Sequence, residues 1–412
     1  MKLVLNKISL SLPLILMGLV FYSNFLFAEE NSHSLQAETH SALTEINKKM
    51  EKGNFAEAKT ELQQLLKSDK LKDYDKAVIY QMIGFVDNSL GNFDEAAKNF
   101  QQALSYNSLP KEVAHELYYT TAQLLIHVEK PDEGLKYLAK WFAEEPQPKA
   151  DAHILAASAY YQTKDYKQLI VHVEKALASS KKPPLNWYEL LLAAYYETKE
   201  YDNAATILEK IIAQYPDKKD YWLQLASVYQ QLKQEKKALA VYELAYTKGL
   251  LKEEDIVQLV KTYLYLQMPY KAGQVLEEEL AIGGVKDNRE MLDLLVDSWL
   301  LAEEREKAEP VLREIVKRFN DDKARLRLGQ LYIELEQWDN VIELLNVKLQ
   351  SKDKVIRSRM DLLVGIAEYY KSNFSKATQA FTQALSDKST EEQAKFWLDH
   401  LKKKTAASKQ ES

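Results

Sequence analysis

Between Leu90 and Asn107 the chain reads LGNFDEAAKNFQQALSYN, and within it Ala96, Phe100 and Ala103 recur at steps of three and four with charged or amide residues between them. That spacing places a small, a large and a second small residue on one face of an α-helix. Gly91 and Phe93 stand just before the run, where a turn would lead into the helix. The pattern returns as KGNFAEAKTELQQLL from Lys52, TKDYKQLIVHVEKAL from Thr163, TKEYDNAATILEKII from Thr198, LEQWDNVIELL from Leu335 and KSNFSKATQAFTQAL from Lys371. Weaker copies begin at Val128, Leu232, Leu266 and Ala302.

Aligning the copies on the small residue gives Ala58, Ala96, Gly134, Leu169, Ala204, Ala238, Ala272, Ala308, Val341 and Ala377, separated by 33 to 38 residues. Twelve residues earlier a second small or aliphatic residue recurs, at Gly84, Ala122, Ala157, Leu192, Ala226, Val260, Val296, Gly329 and Gly365. Three residues after that second position an aromatic often follows, as Tyr160, Tyr195, Tyr229, Tyr263, Trp299 and Tyr332. A large group sits four residues past the first position, as Phe100, Leu208, Tyr242, Leu276, Leu312, Leu345 or Phe381. Two helices that cross at close range need small residues where they meet, and a large one fills the hole that each neighbour leaves.

A helix–turn–helix unit recurring at about 34 residues resembles the tetratricopeptide repeat family. The resemblance covers nearly all of residues 39–389, with Leu169, Val341 and Pro131 departing from its pattern. It implies an all-α protein, a right-handed superhelical solenoid of about ten repeats. The segment 390–404 is charged on one side, while its Ala394, Phe396, Trp397 and Leu401 form an apolar face, as expected of a C-terminal capping helix. The tail 405–412 is small and polar and is expected to be disordered, and residues 29–38 are expected to form a flexible lead. Before that lead, Lys2 and Lys7 precede an apolar run from Ile8 to Phe27, so 1–28 reads as a signal peptide, cleaved after Ala28, or as a retained N-terminal membrane anchor. Either alternative puts the array in the periplasm, as a soluble or an inner-membrane-anchored protein.

Composition narrows the chemistry. The 55 basic and 61 acidic residues are interspersed, which leaves no basic stripe to follow nucleic acid. Cysteine is absent, which excludes disulfides and thiolate chemistry. The chain carries no G-x-S-x-G, no phosphate-cradling glycine loop and no H-E-x-x-H, and its seven histidines include no pair three or four apart within one helix. No catalytic, cofactor-binding or metal-binding residue is therefore expected, and no cofactor.

Tyrosine is the abundant functional residue, with 25 copies and doublets at Tyr118-Tyr119, Tyr160-Tyr161, Tyr195-Tyr196 and Tyr369-Tyr370. In the middle two doublets the first member falls on the packing position and the second is turned by about 100° toward the concave wall of a stacked array. The expected wall comprises Tyr119, Gln123, Ser158, Tyr161, Gln162, Glu189, Tyr196, Glu197, Gln230, Gln231, Lys261 and Tyr265, a mixed surface suited to an extended peptide or a partner helix. The layout of export segment followed at once by repeats also resembles the tetratricopeptide-repeat accessory proteins of TonB energy-transduction systems. That resemblance implies a non-enzymatic scaffold working beside TonB, ExbB and ExbD in iron uptake. An adaptor for peptidoglycan enzymes, outer-membrane assembly or polysaccharide export is the alternative reading.

Overall fold

The computed structural model describes residues 33–346 and 353–410, with side chains as far as Lys404 in the last helix. The expected export segment, 1–28, lies outside the described residues, as do residues 29–32 of the lead and 411–412 of the tail. Among the described residues all regular structure is helical, in helices α1 to α21. They fall into two compact units that divide after Pro216.

The first unit holds α1 (Ala37–Glu51), α2 (Phe55–Leu65), α3 (Asp73–Ser89), α4 (Phe93–Ser105), α5 (Lys111–His127), α6 (Pro131–Glu144), α7 (Ala150–Thr163), α8 (Tyr166–Ser179), α9 (Leu185–Thr198) and α10 (Tyr201–Gln214). The second holds α11 (Lys219–Gln231), α12 (Glu235–Thr247), α13 (Glu253–Tyr265), α14 (Pro269–Ile282), α15 (Arg289–Leu301), α16 (Arg305–Phe319), α17 (Asp322–Glu334), α18 (Trp338–Leu345), α19 (Lys354–Tyr370), α20 (Phe374–Ala384) and α21 (Lys388–Gln410). Each odd-numbered helix from α1 to α19 pairs with the next across a short turn, and each pair packs on the following pair of its unit. The array therefore starts at Ala37. Its last helix runs through the expected tail to Gln410, because Thr-Ala-Ala-Ser-Lys-Gln contains no glycine or proline to stop it.

The repeat register is visible in the packing. Ala58, Ala96, Leu169, Ala204, Ala238, Ala272, Ala308, Val341 and Ala377 are all fully buried, and Gly134 is buried with them. A methyl added at Gly329 would come within 2.8 Å of Leu345, and one at Gly365 within 2.5 Å of Phe381. Gly84 stands in the same relation to Phe100. Each glycine thus faces the large group sixteen residues on, which is the small-to-large fit expected of the crossing helices.

All ten turns are built alike. Gly53, Gly91, Glu129, Lys164, Lys199, Lys233, Gln267, Glu303, Glu336 and Ser372 each adopt a left-handed backbone, five residues before the aligned small residue. The next residue donates its N–H to the carbonyl five positions back, as Asn92 to Asp87 and Gln234 to Tyr229, both at 2.8 Å. This is the bond that closes a helix whose following residue is left-handed. Only two of the ten are glycine, so the other eight hold a conformation that costs an L-residue about 1–2 kcal/mol. Lys199→Gly is therefore expected to stabilise its unit by about 0.5–1 kcal/mol, the relief less the added freedom of glycine in the unfolded chain. Urea denaturation of the variant checks this, and an unchanged or lower midpoint would contradict it.

Neighbouring pairs are also tied by ions. Lys130 on Asp94 at 2.5 Å, Lys219 on Asp255 at 2.9 Å, Arg318 on Asp287 at 2.7 Å and Arg327 on Asp297 at 2.6 Å each join residues about one repeat apart. Lys371 and Asp339 make a further such pair.

Candidate partner-binding surfaces

The twelve residues expected on a single wall divide between the units. Eight of them, Tyr119 to Glu197, sit on α5, α7 and α9, whereas Gln230, Gln231, Lys261 and Tyr265 sit on α11 and α13. Within the first unit their exposure is uneven. Ser158 is only 4% exposed and belongs to the packing, because α7 is apolar on nearly every side and its neighbours cover both faces. It cannot touch a partner. Tyr119 lies against Trp141 with ring centroids 4.8 Å apart, and burial, with smaller contributions from Asp151 and Glu116, pushes its phenol up to about 12. Tyr196 is half-buried as well, and burial followed by the nearby Tyr201 pushes it up to about 12.

Tyr161 is partly exposed and meets Tyr166 edge-on at 6.4 Å. Gln162 is exposed and donates across to the Ile126 carbonyl at 3.5 Å, while Glu197 is exposed, and Gln123 and Glu189 are partly so. In the second unit Gln230, Gln231 and Lys261 are exposed, and Tyr265 is the most open tyrosine of the group at 73%. The packing members of the doublets differ from one another. Tyr195 is buried and donates to Glu174 at 2.8 Å, and burial first, with the Glu174 bond second, raises its phenol well above the usual range. Tyr160 is only half-buried and lies over His172 at 5.5 Å.

Two polar arrangements escaped the sequence. Across the α7–α8 crossing, His153 and His172 bring their Nδ1 atoms to 3.1 Å beside Phe142 and Tyr160. A search within single helices misses them, since they meet between helices. The register does contain the signal, because Tyr118 and Tyr137 meet at the same two positions one repeat earlier. The second is Asp87, fully buried on α3, which accepts from Lys59 Nζ of α2 at 2.5 Å, Asn99 Nδ2 of α4 at 3.0 Å and Asn92 Nδ2 of the turn at 3.3 Å. Glu368 and Asn373 reproduce part of it in the last repeat, at 2.6 Å. Both carboxylates occupy the position that six other repeats fill with an aromatic.

The histidine pair makes a pH prediction. Burial lowers both rings, with Lys175 adding to the effect on His153, and with His153 and then Lys175 adding to it on His172, which is held at about 4 against an ordinary 6.5. Below about 6.5 the unfolded chain takes up protons that the folded pair refuses, so stability falls as the pH drops from about 6.5 toward 4. The melting temperature of the first unit is expected to drop between pH 7 and pH 5 by more than that of His172→Phe. Parallel profiles for the two proteins would contradict it.

Among the described residues no group of three or more histidine, aspartate or glutamate side chains is placed to hold a metal ion, and no helix is long and apolar enough to cross a membrane. Family models described as tetratricopeptide repeat match residues 77–108, 192–218 and 219–247, so these three segments carry tetratricopeptide repeats. Solved structures similar to it include a tetratricopeptide repeat protein from Parabacteroides merdae, 15% identical over 61% of this chain and 98% of that one, with a TM-score of 0.29. YrrB, described as a TPR protein with an unusual peptide-binding site, is 19% identical over 48% of this chain and 100% of its own, with a TM-score of 0.35. MamA of Desulfovibrio magneticus is 16% identical over 44% of this chain and 96% of its own, with a TM-score of 0.35. Among curated proteins none matches this chain.

Proposed function

We propose that this chain is a non-enzymatic scaffold of the periplasm that binds envelope proteins, as an accessory of a TonB-dependent energy-transduction system for iron uptake. The observation that carries the reading is the order of parts: a basic and then apolar export-type start, Lys2 to Phe27, leads directly into helical repeats. The array offers long helix faces with rigid aromatics, which supply contact area at low entropic cost. TonB, ExbB and ExbD are the partners this reading names.

Affinity purification from crosslinked membranes tests it, with recovery of TonB, ExbB or ExbD expected. Recovery of peptidoglycan, outer-membrane-assembly or polysaccharide-export proteins in their place would transfer the scaffold to envelope biogenesis. Alkaline phosphatase fused after Ser412 is expected to be active, and an inactive fusion would reject the periplasmic location. On the binding face, Tyr161→Ala is expected to weaken capture by about 1–2 kcal/mol with an unchanged melting temperature. Tyr196→Ala is expected to lower melting as well as capture, since that phenol is buried enough in the packing to be pushed up to about 12.

A further inference from the structure

A capping helix needs one apolar side. On α21, Ala394 and Leu401 are buried, and Trp397 stacks on Phe381 with centroids 5.7 Å apart and planes 7° apart. Phe396 does not share that task. It is 65% exposed, and its ring stands at 80° to that of Trp397, 5.9 Å away, so the two rings form a corner open to solvent. With Ile366 of α19 and with Glu392 and Gln393 one turn earlier on α21, they line a cleft of about 380 Å³. That is near the lower end of the roughly 300–1,000 Å³ of small-ligand sites, a size suited to one inserted side chain.

The charge in this cleft is one-sided. Glu392 is the charged residue of its lining, is exposed, and among the described residues makes no ion pair or hydrogen bond, whereas the adjacent Glu391 is engaged by Lys395 at 2.5 Å. Two aromatic rings and an unpaired carboxylate are the components that recognise an organic cation. The chain uses this chemistry in its own packing, where Lys307 lies 4.4 Å from the Tyr270 ring and 4.4 Å from the Trp299 ring, and Lys404 lies 4.7 Å over Tyr369.

We propose that the cleft between α19 and α21 receives an arginine side chain of a partner protein, its guanidinium stacked against the Phe396–Trp397 corner and paired with Glu392. Arginine fits better than lysine because its planar group can lie on a ring while its N–H fork meets a carboxylate. The partner being a protein rests on the scaffold reading above; the cationic preference of the cleft does not.

The full chain labelled with 5-fluorotryptophan tests this, with the Trp397 resonance assigned through Trp397→Phe. N-acetyl-arginine methylamide is expected to shift that resonance saturably, and the neutral isostere N-acetyl-citrulline methylamide is expected to leave it in place. Glu392→Gln, at an exposed position without folded-state partners, is expected to keep the melting temperature and weaken arginine binding by about fivefold. Equal shifts from both probes, no shift from either, or full arginine affinity in Glu392→Gln would overturn the proposal. Arginine binding that requires Glu392, found together with failure to recover any envelope protein, would reject the scaffold reading and leave this site standing.

Discussion

Leucine in place of Gly84 is expected to destabilise the first unit by about 3 kcal/mol, at the upper end of the usual cost of overpacking. The reason is the absence of anywhere to go. Phe100 has no exposed surface, meets Phe85 edge-on at 5.1 Å, and already occupies the space that any β-carbon at position 84 would enter. Accommodating the new side chain means separating α3 from α4, and the separation would pass to Ala96 and Ala103 on the same seam, both fully buried. Gly365→Leu places the same strain against Phe381 in the second unit and is expected to cost a similar amount. Chemical denaturation monitored by helical circular dichroism measures both. A loss below about 1 kcal/mol in each would mean that the seam is looser than its geometry indicates.

Asp87→Ala is expected to cost about 3–5 kcal/mol, the penalty typical of removing one member of a buried charged network. Three donors converge on this carboxylate from α2, α4 and the turn between α3 and α4, and its loss leaves a cavity at the fully buried position 87 and strips three donors of their shared acceptor. Asp87→Asn keeps the shape but surrenders the charge, so a loss of about 1–2 kcal/mol is expected. A double-mutant cycle of Asp87→Ala with Lys59→Met separates the ion pair from the amide contacts. Additive effects would show that the lysine contributes nothing through this contact.

The repeat seam could be read before any coordinates because close helix crossing is a steric demand that leaves a compositional mark: where Ala96 or Ala204 stands, little else fits. The turns were far less legible. Gly91 shows its left-handed backbone in its identity, but Lys199 and Gln267 adopt the same conformation, since the closing hydrogen bond and the two flanking helices hold them there whatever the side chain. Contacts between elements were hidden for a different reason. His153 and His172 are ordinary residues within their own helices, and only the crossing of α7 on α8 joins them. Ser158 was assigned to the wall from its angular position alone, which gives direction and not cover. The expected uniform array also gave no hint of a division at Pro216, where a residue that can neither continue a helix nor donate a backbone hydrogen bond follows α10.

The ten left-handed turns make each hairpin's geometry independent of its address in the chain. Lys164 and Lys199 share a φ of 61°, and each is followed by a residue that bonds five positions back. Excising residues 165–199 would therefore join two interchangeable junctions and leave every remaining turn chemically complete. Such a deletion meets a matched backbone on both sides of the join, and the uneven spacing of 33 to 38 residues lets the length between junctions vary while each junction keeps its geometry.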